Sequence, residues 1–444
     1  MEAGRMDRRR RARKTTTVKP ENVFLIIILF FGLLATFLTV PLTTGDEGYH
    51  LSKAYNLFSE KHPKVMSESV VRGLELETVN HIKQLNTEKL NLSNDKIKLN
   101  LKQDANSFMP FDLMHLPAAV GVLIGRLIYP SYVVMDYCGR LFNLIFFAVG
   151  FYFLIKRNKN EKWTLFMLFS VPFIQKMASP SYDVFCYLAI SAYALNLFDL
   201  AKIKAIKQLS FAKILYTLLT ILLIFSSKRN YVFGLTALLG LPLVYQPMFA
   251  MFKSLKKPLK VIGVAFATIV LVIALYLFNE KLHLYHFAKS FFNSYLNIET
   301  TGRRARQMWQ IIPTTLPSFL NILWILALFS VMITEAKAKW LKGTIIIGIV
   351  TYLTNWVGIF GGFYRSRMTA ISFDQLSGRY LSPFMIFFVP LLQKIGLKYN
   401  LNLPKNVLQR VAIVSTCTIM MIYLLFVIYR GFVLKINPTW TEVG

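Results

Sequence analysis

Apolar runs of about twenty residues recur along this chain, and their length constrains its fold more than any other feature. A helix rises about 1.5 Å per residue, so some twenty residues cross the roughly 30 Å of hydrocarbon in a bilayer. Such runs lie near 23–42, 133–155, 163–178, 183–200, 211–227, 231–248, 259–278, 317–334, 342–360, 380–396 and 411–433. They predict an all-α integral membrane protein with about 11 transmembrane helices. Composition agrees: with 55% hydrophobic and 16% charged residues among 444, too little polar surface remains to coat a soluble globule. The first run follows Arg5, Arg8 to Arg11, Arg13, Lys14 and Lys19; it is too long for an export signal and has no A-x-A-like exit, so it reads as an anchor.

The net charge of +29 distinguishes two kinds of partner. Nucleic acid would require a basic and aromatic face on a soluble domain, and there is none; the basic residues flank apolar runs instead, which points to membrane lipid. Clusters at Lys156/Arg157/Lys159/Lys162, Lys202/Lys204/Lys207, Lys253/Lys256/Lys257/Lys260, Lys337/Lys339/Lys342 and Lys394/Lys398/Lys405/Arg410 join the basic head on the cytoplasmic side of a plasma membrane. That threading requires the apolar piece 113–129 to lie along or dip into the outer interface without crossing.

The expected organisation is a cytoplasmic head over 1–22, one polytopic membrane domain over 23–434 and a short tail over 435–444. Its outer loops are 43–130, 279–316 and 361–379, the first carrying interfacial helices, with an amphipathic excursion between 60 and 107. Cys138, Cys186 and Cys417 each sit in an apolar stretch without a nearby partner and read as packing residues. Phe146, Phe147, Phe151 and Phe153 read as packing or lipid-facing. Walker loops, dinucleotide glycine fingerprints and nucleophile elbows are missing, which excludes the ATPase, Rossmann and common hydrolase classes.

The residues with most chemistry follow the first run: Asp46, Glu47 and His50, within Pro41 to Tyr55. Two carboxylates and a histidine at an outer interface can hold a proton relay or a metal; a polar cap between two helices accounts for the same residues. Adjacent side chains diverge on a helix, so Asp46 and Glu47 have different tasks. Asp183, after Pro180, suits either a cap or a site. Arg303, Arg304, Arg306, Arg365, Arg367 and Arg379 fall on the outer side against the charge trend, where they grip phosphate or snorkel. Arg379 also stands beside Asp374 in sequence. His283 and His286 share a helix face but lack a third ligand.

The passage of a proline, Asp46-Glu47, His50 and Ala54-Tyr55 resembles the opening of a bacterial family of predicted membrane proteins, domain of unknown function 2142, which is grouped with the GT-C glycosyltransferases. Further elements resemble that family in order: His115-Leu116-Pro117 with Gly121, Gly125 and Arg126; Arg140-Leu141-Phe142-Asn143; Ser179-Pro180-Ser181-Tyr182-Asp183; Ser227-Lys228-Arg229-Asn230-Tyr231; and Gly378-Arg379-Tyr380-Leu381 with Pro383. The chain departs from the pattern in its single Pro117 and in the stretch from Gly48 to Asp112.

The resemblance implies a GT-C-like fold and transfer of a sugar from a polyprenyl phosphate donor to a cell-surface polysaccharide, wall polymer or lipid outside the membrane. It makes Asp46 the catalytic base or metal ligand, with Glu47 beside it and a divalent cation as the implied cofactor. His50, His115, Asp183, Lys228, Arg229, Arg303, Arg304 and Arg379 become its substrate-binding residues. The alternatives are a transporter or flippase, or a polymerase or ligase, for lipid-linked saccharides; transporters place ionisable groups near the midplane, whereas these sit at outer helix ends.

Overall fold

The computed structural model describes residues 19–41, 43–44, 46–61, 95–102, 104–203, 205–297, 309–373 and 376–434. Every named element is helical, and one isolated antiparallel bridge joins Ser107 to Lys228. A helical bundle is what lipid demands, because each backbone N–H and C=O must find its partner within the segment.

The chain runs through α1 (Pro20–Leu38), α2 (Glu47–Asn56), α3 (Leu116–Ile128), α4 (Tyr132–Arg157), α5 (Lys162–Leu168), α6 (Ile174–Met177), α7 (Asp183–Leu200) and α8 (Phe211–Phe225). A 3₁₀ helix (Arg229–Gly240) leads to α9 (Pro242–Ser254), α10 (Lys257–Leu282), α11 (Leu284–Tyr295), α12 (Ser318–Thr334) and α13 (Lys342–Ser366). A second 3₁₀ helix (Ser382–Phe388), α14 (Val389–Lys398) and α15 (Lys405–Ile428) complete it.

Among the described residues, six helices are long and apolar enough to cross a membrane: α1, α4, α7, α10, α13 and Lys405–Val433. The pair Arg229–Gly240 and Pro242–Ser254, bent by 59°, makes a seventh if it is one span. With the bent pair counted as one span, the difference from about eleven lies in four runs. Residues 211–227 and 317–334 form helices of 15 and 17 residues, each short of 30 Å at about 1.5 Å per residue. Runs 163–178 and 380–396 are broken into short pieces at Pro172, Pro383 and Pro390. Proline lacks the N–H that would continue the ladder. The third loop is also shorter than expected, since α13 reaches Ser366. Most of the expected excursion over 60–107 lies outside the described residues, and its described part from 95 onward carries no helix.

Packing follows the helical period. On α4, Phe147 and Phe151 are fully buried against Phe24 of α1, with ring centroids at 6.2 and 6.0 Å, whereas Phe146 and Phe153 face outward. Against lipid such burial brings no water-exclusion gain, so close contact between helices is what holds them. The pair α3 and α4 shows this most clearly. A Cβ on Gly121 would sit 2.2 Å from the Cys138 carbonyl oxygen, and one on Gly125 would sit 2.8 Å from the Met135 Cα. Helix α10 stands apart, with none of its residues buried.

At 13 residues α3 is about 20 Å long, too short to cross. Both of its ends meet the segment after α1: His115 touches His50, and Arg126 donates to the Phe58 carbonyl at 3.1 Å and to that of Asp95. Asp95 in turn collects Tyr55 Oη, Ser59 Oγ and the Glu60 and Lys61 amides.

Candidate functional site

The quoted motifs converge at one end of the bundle. After α1 the chain turns through Asp46, whose φ of 62° puts it in the left-handed region, a conformation that aspartate tolerates better than most side chains. The turn separates the two carboxylates. Asp46 is 65% exposed, whereas the Glu47 side chain is fully buried.

Arg140 explains why Glu47 is inside. Its Nη2 and Nε lie 2.6 and 2.9 Å from Glu47 Oε1, and its Nε lies 2.7 Å from Asp136. Its remaining N–H groups donate to the carbonyls of Thr36, Thr39 and Val40 at 3.0, 2.8 and 3.3 Å. These are orphan carbonyls where α1 ends. The second Glu47 oxygen accepts the Thr44 N–H at 3.0 Å, at capping-box spacing. Glu47 thus has no free oxygen for a shared ion, and the Asp46–Glu47 pair does not fit a metal.

One turn along α2, His50 Nδ1 lies 3.1 Å from His115 Nε2, and His115 Nδ1 lies 2.7 Å from Asp112 Oδ2. All three groups are buried. With both rings neutral, His115 donates from Nδ1 to the carboxylate, and its Nε2 accepts from His50 Nδ1–H. The basic nitrogen left over is His50 Nε2. Burial, then the charges of His115 and Lys176, holds the His50 pKa well below its ordinary value. The Tyr182 ring meets both imidazoles edge-on, at 4.5 and 5.1 Å.

Next to the histidines is a cationic group. Asn143 Nδ2 holds the Ser179-Pro180-Ser181 turn through two carbonyls, each at 3.0 Å, and Ser181 Oγ caps the Asp183 amide. Asp183 then receives Lys228 Nζ at 2.5 Å and Lys176 Nζ at 4.0 Å, while Lys228 lies over the rings of Tyr182 and Tyr380. Arg379 completes the group, its Nη2 3.9 Å from Asp46 Oδ2. A Cβ on Gly378 would sit 2.6 Å from the Gln310 carbonyl oxygen, so glycine is what lets the Gly-Arg-Tyr turn approach that backbone. Tyr187 Oη holds the Arg379 carbonyl at 2.8 Å from below. Lys176, Lys228 and Arg379 thus gather around Asp183 and Asp46, a set of donors that suits an anion such as phosphate.

Of the residues expected from sequence, Asp46, Glu47, His50, His115, Asp183, Lys228 and Arg379 come together here. Arg229 does not join them. Its backbone N–H and Nε hold Asn106 and Ser107, and its guanidinium lies over Phe108. Arg303, Arg304 and Arg306 lie outside the described residues, as does Asp374, and Arg379 pairs with Asp46. His283 caps α10 in the left-handed region, and His286 bonds Tyr364 Oη at 3.0 Å.

Sequence reasoning gave no role to Asp104, Asp112, Tyr49, Lys176 or Tyr182. A charged Lys176 inside an apolar run was the available signal. Asp104, Asp112 and His115 offer oxygen or nitrogen atoms within 4.8 Å of one another, a spacing that can hold a cation. Those atoms already have donors: Tyr49 Oη at 2.5 Å, the Asn106 amide at 2.7 Å and His115 Nδ1 at 2.7 Å.

Residues 29–302 match the family described as "Predicted membrane protein (DUF2142)". No curated protein and no solved structure matches the chain.

Proposed function

The chain belongs to the DUF2142 family of predicted membrane proteins, and we propose that it is a GT-C-type glycosyltransferase working on the outer face of the plasma membrane. Its donor is a sugar on polyprenyl phosphate, and its acceptor is a hydroxyl of a cell-surface glycan, wall polymer or lipid. One observation carries the reading: an exposed carboxylate, Asp46, stands 3.9 Å from Arg379 at the edge of the Lys176, Lys228 and Asp183 group. Transfer needs both parts side by side, a base for the acceptor and cations for the leaving phosphate.

In this mechanism Asp46 takes the proton of the acceptor hydroxyl as its oxygen attacks the anomeric carbon. The bond from that carbon to the donor phosphate breaks, and polyprenyl phosphate leaves with the electron pair. Arg379 grips the phosphate with its forked guanidinium, and Lys228 and Lys176 offset the charge that develops. Glu47 acts through Arg140 as a positioning residue, fixing the turn that presents Asp46. His50 hydrogen-bonds the acceptor side through Nε2, and His115, held by Asp112, orients it. No step passes through a metal.

The test is release of free polyprenyl phosphate from a lipid-linked sugar by the purified protein in detergent, with cell-wall material as acceptor. Acceptor-dependent release is the expected result. Its absence with every donor tried, together with movement of a lipid-linked saccharide across vesicles, would replace the transferase with a transporter.

A further inference from the structure

A cavity of about 460 Å³ opens at the other end of the bundle from the site above. Its size falls within the usual range for small-molecule pockets. The end of α4, the linker to α5, the end of α7 and the first turns of α8 line it, bringing Arg157, Lys159, Lys202 and Lys213 around one space. Two carboxylates also line it, and both are engaged. Asp199 pairs with Lys202 at 3.2 Å, and Glu161 accepts from Gln393 Nε2 at 3.2 Å.

Among the described residues, Arg157, Lys159 and Lys213 have no carboxylate partner. Arg157 lies over the Tyr216 ring at 4.2 Å. The Asn158 amide NH₂ is shut away from solvent without a hydrogen-bond partner. Helix dipoles account for only part of this charge. The ends of α4 and α7 contribute roughly half a negative charge each, and the start of α8 takes about half a positive charge in the opposite sense. Three unpaired cations exceed that and the Glu161 charge together.

The walls give the cavity a second character. Leu154, Leu195 and Phe198 line its apolar side, and on adjoining α8 Phe211, Ile214, Leu215 and Leu218 are exposed where lipid would lie. The geometry points to a binding site for a phosphate group at this end of the bundle, presented by an anionic phospholipid headgroup or by a soluble phosphoester. Arg157 and Lys213 grip the phosphate oxygens and Lys159 closes the mouth. The site is independent of the transferase reading.

The test titrates the full chain in detergent with short-chain phosphatidylglycerol, short-chain phosphatidylcholine and glycerol phosphate, following the melting temperature. Phosphatidylglycerol should bind at least about tenfold more tightly than phosphatidylcholine, whose ammonium offsets its phosphate. The Arg157→Gln/Lys213→Gln pair should weaken binding by about tenfold or more. Lys159→Gln, on the exposed linker, should weaken it without touching the helices. Lys256→Gln/Lys260→Gln, in another basic cluster, serves as control. Saturable binding of glycerol phosphate with the same sensitivity keeps the site and makes the soluble phosphoester its ligand. Equal loss in the control, or no loss in Arg157→Gln/Lys213→Gln and Lys159→Gln, overturns the proposal, as does failure of both phosphatidylglycerol and glycerol phosphate to bind.

Discussion

Asp46 and Glu47 are neighbours in sequence and opposites in setting, and substitutions should separate them. Asp46→Asn keeps size and capping but removes proton acceptance, so polyprenyl phosphate release should fall by roughly 10²-fold or more with the melting temperature unchanged. Glu47→Gln removes one of the two carboxylates on Arg140 and leaves Asp136 as its counter-charge, so the cost is that of the charged hydrogen bonds lost, about 1–3 kcal/mol; thermal unfolding in detergent reads this loss, and full stability would sink the clamp. Arg379→Lys keeps the charge and loses the fork, so donor affinity should drop in a binding titration. His50 makes a pH prediction. Its folded pKa lies below the unfolded value of about 6.5, so the unfolded chain binds more protons below that pH and stability falls as pH falls through it. His50→Gln should flatten the fall in melting temperature from about pH 7.5 to 5 relative to wild type. Sequence shows Asp46, Glu47 and His50 because they are contiguous. It hides Asp112 and Lys176, whose roles arise from partners brought close by folding: Asp112 orients His115, which meets His50 across 65 residues, and Lys176 meets the Asp183 that Lys228 also holds.

Helix α3 carries the site at one end and is held along its length by contact with α4 that only glycine permits. Gly121→Leu must push the helices apart against the Cys138 backbone, so it should cost about 1–3 kcal/mol or more and withdraw His115 from His50. The melting temperature and donor release should fall together, whereas Ile128→Ala, at the exposed far end of α3, should change neither. The helix over 116–128 was legible from its apolar run, and charge predicts that it does not cross, since a crossing there would put Lys156 and Arg157 on the wrong side. The broken runs were not. An apolar stretch records what surrounds a segment, not whether its backbone ladder is continuous, and 163–178 and 380–396 hide Pro172, Pro383 and Pro390 in otherwise helix-like composition.

Over the whole molecule, the candidate site and the basic linkers occupy opposite ends, which makes sidedness measurable. With Cys138, Cys186 and Cys417 replaced, an impermeant thiol reagent should label Ile97→Cys in intact cells and reach Lys159→Cys only after permeabilisation; the reverse pattern would turn the bundle over. The distribution of charge was visible along the chain, but the number of full-length helices was not, because hydropathy cannot separate a span from a short helix buried among others. The clamp between Arg140 and Glu47 also bears on how the protein is made. The two partners are 93 residues apart, so at ordinary rates of translation the arginine leaves the ribosome about 5 to 20 seconds after the glutamate. Until then nothing neutralises Glu47, and the end of the first span has unsatisfied carbonyls. The inserted N-terminal segment is therefore an unfinished product that cellular quality control can recognise, and a chain released before residue 132 should be degraded while one ending after α4 persists.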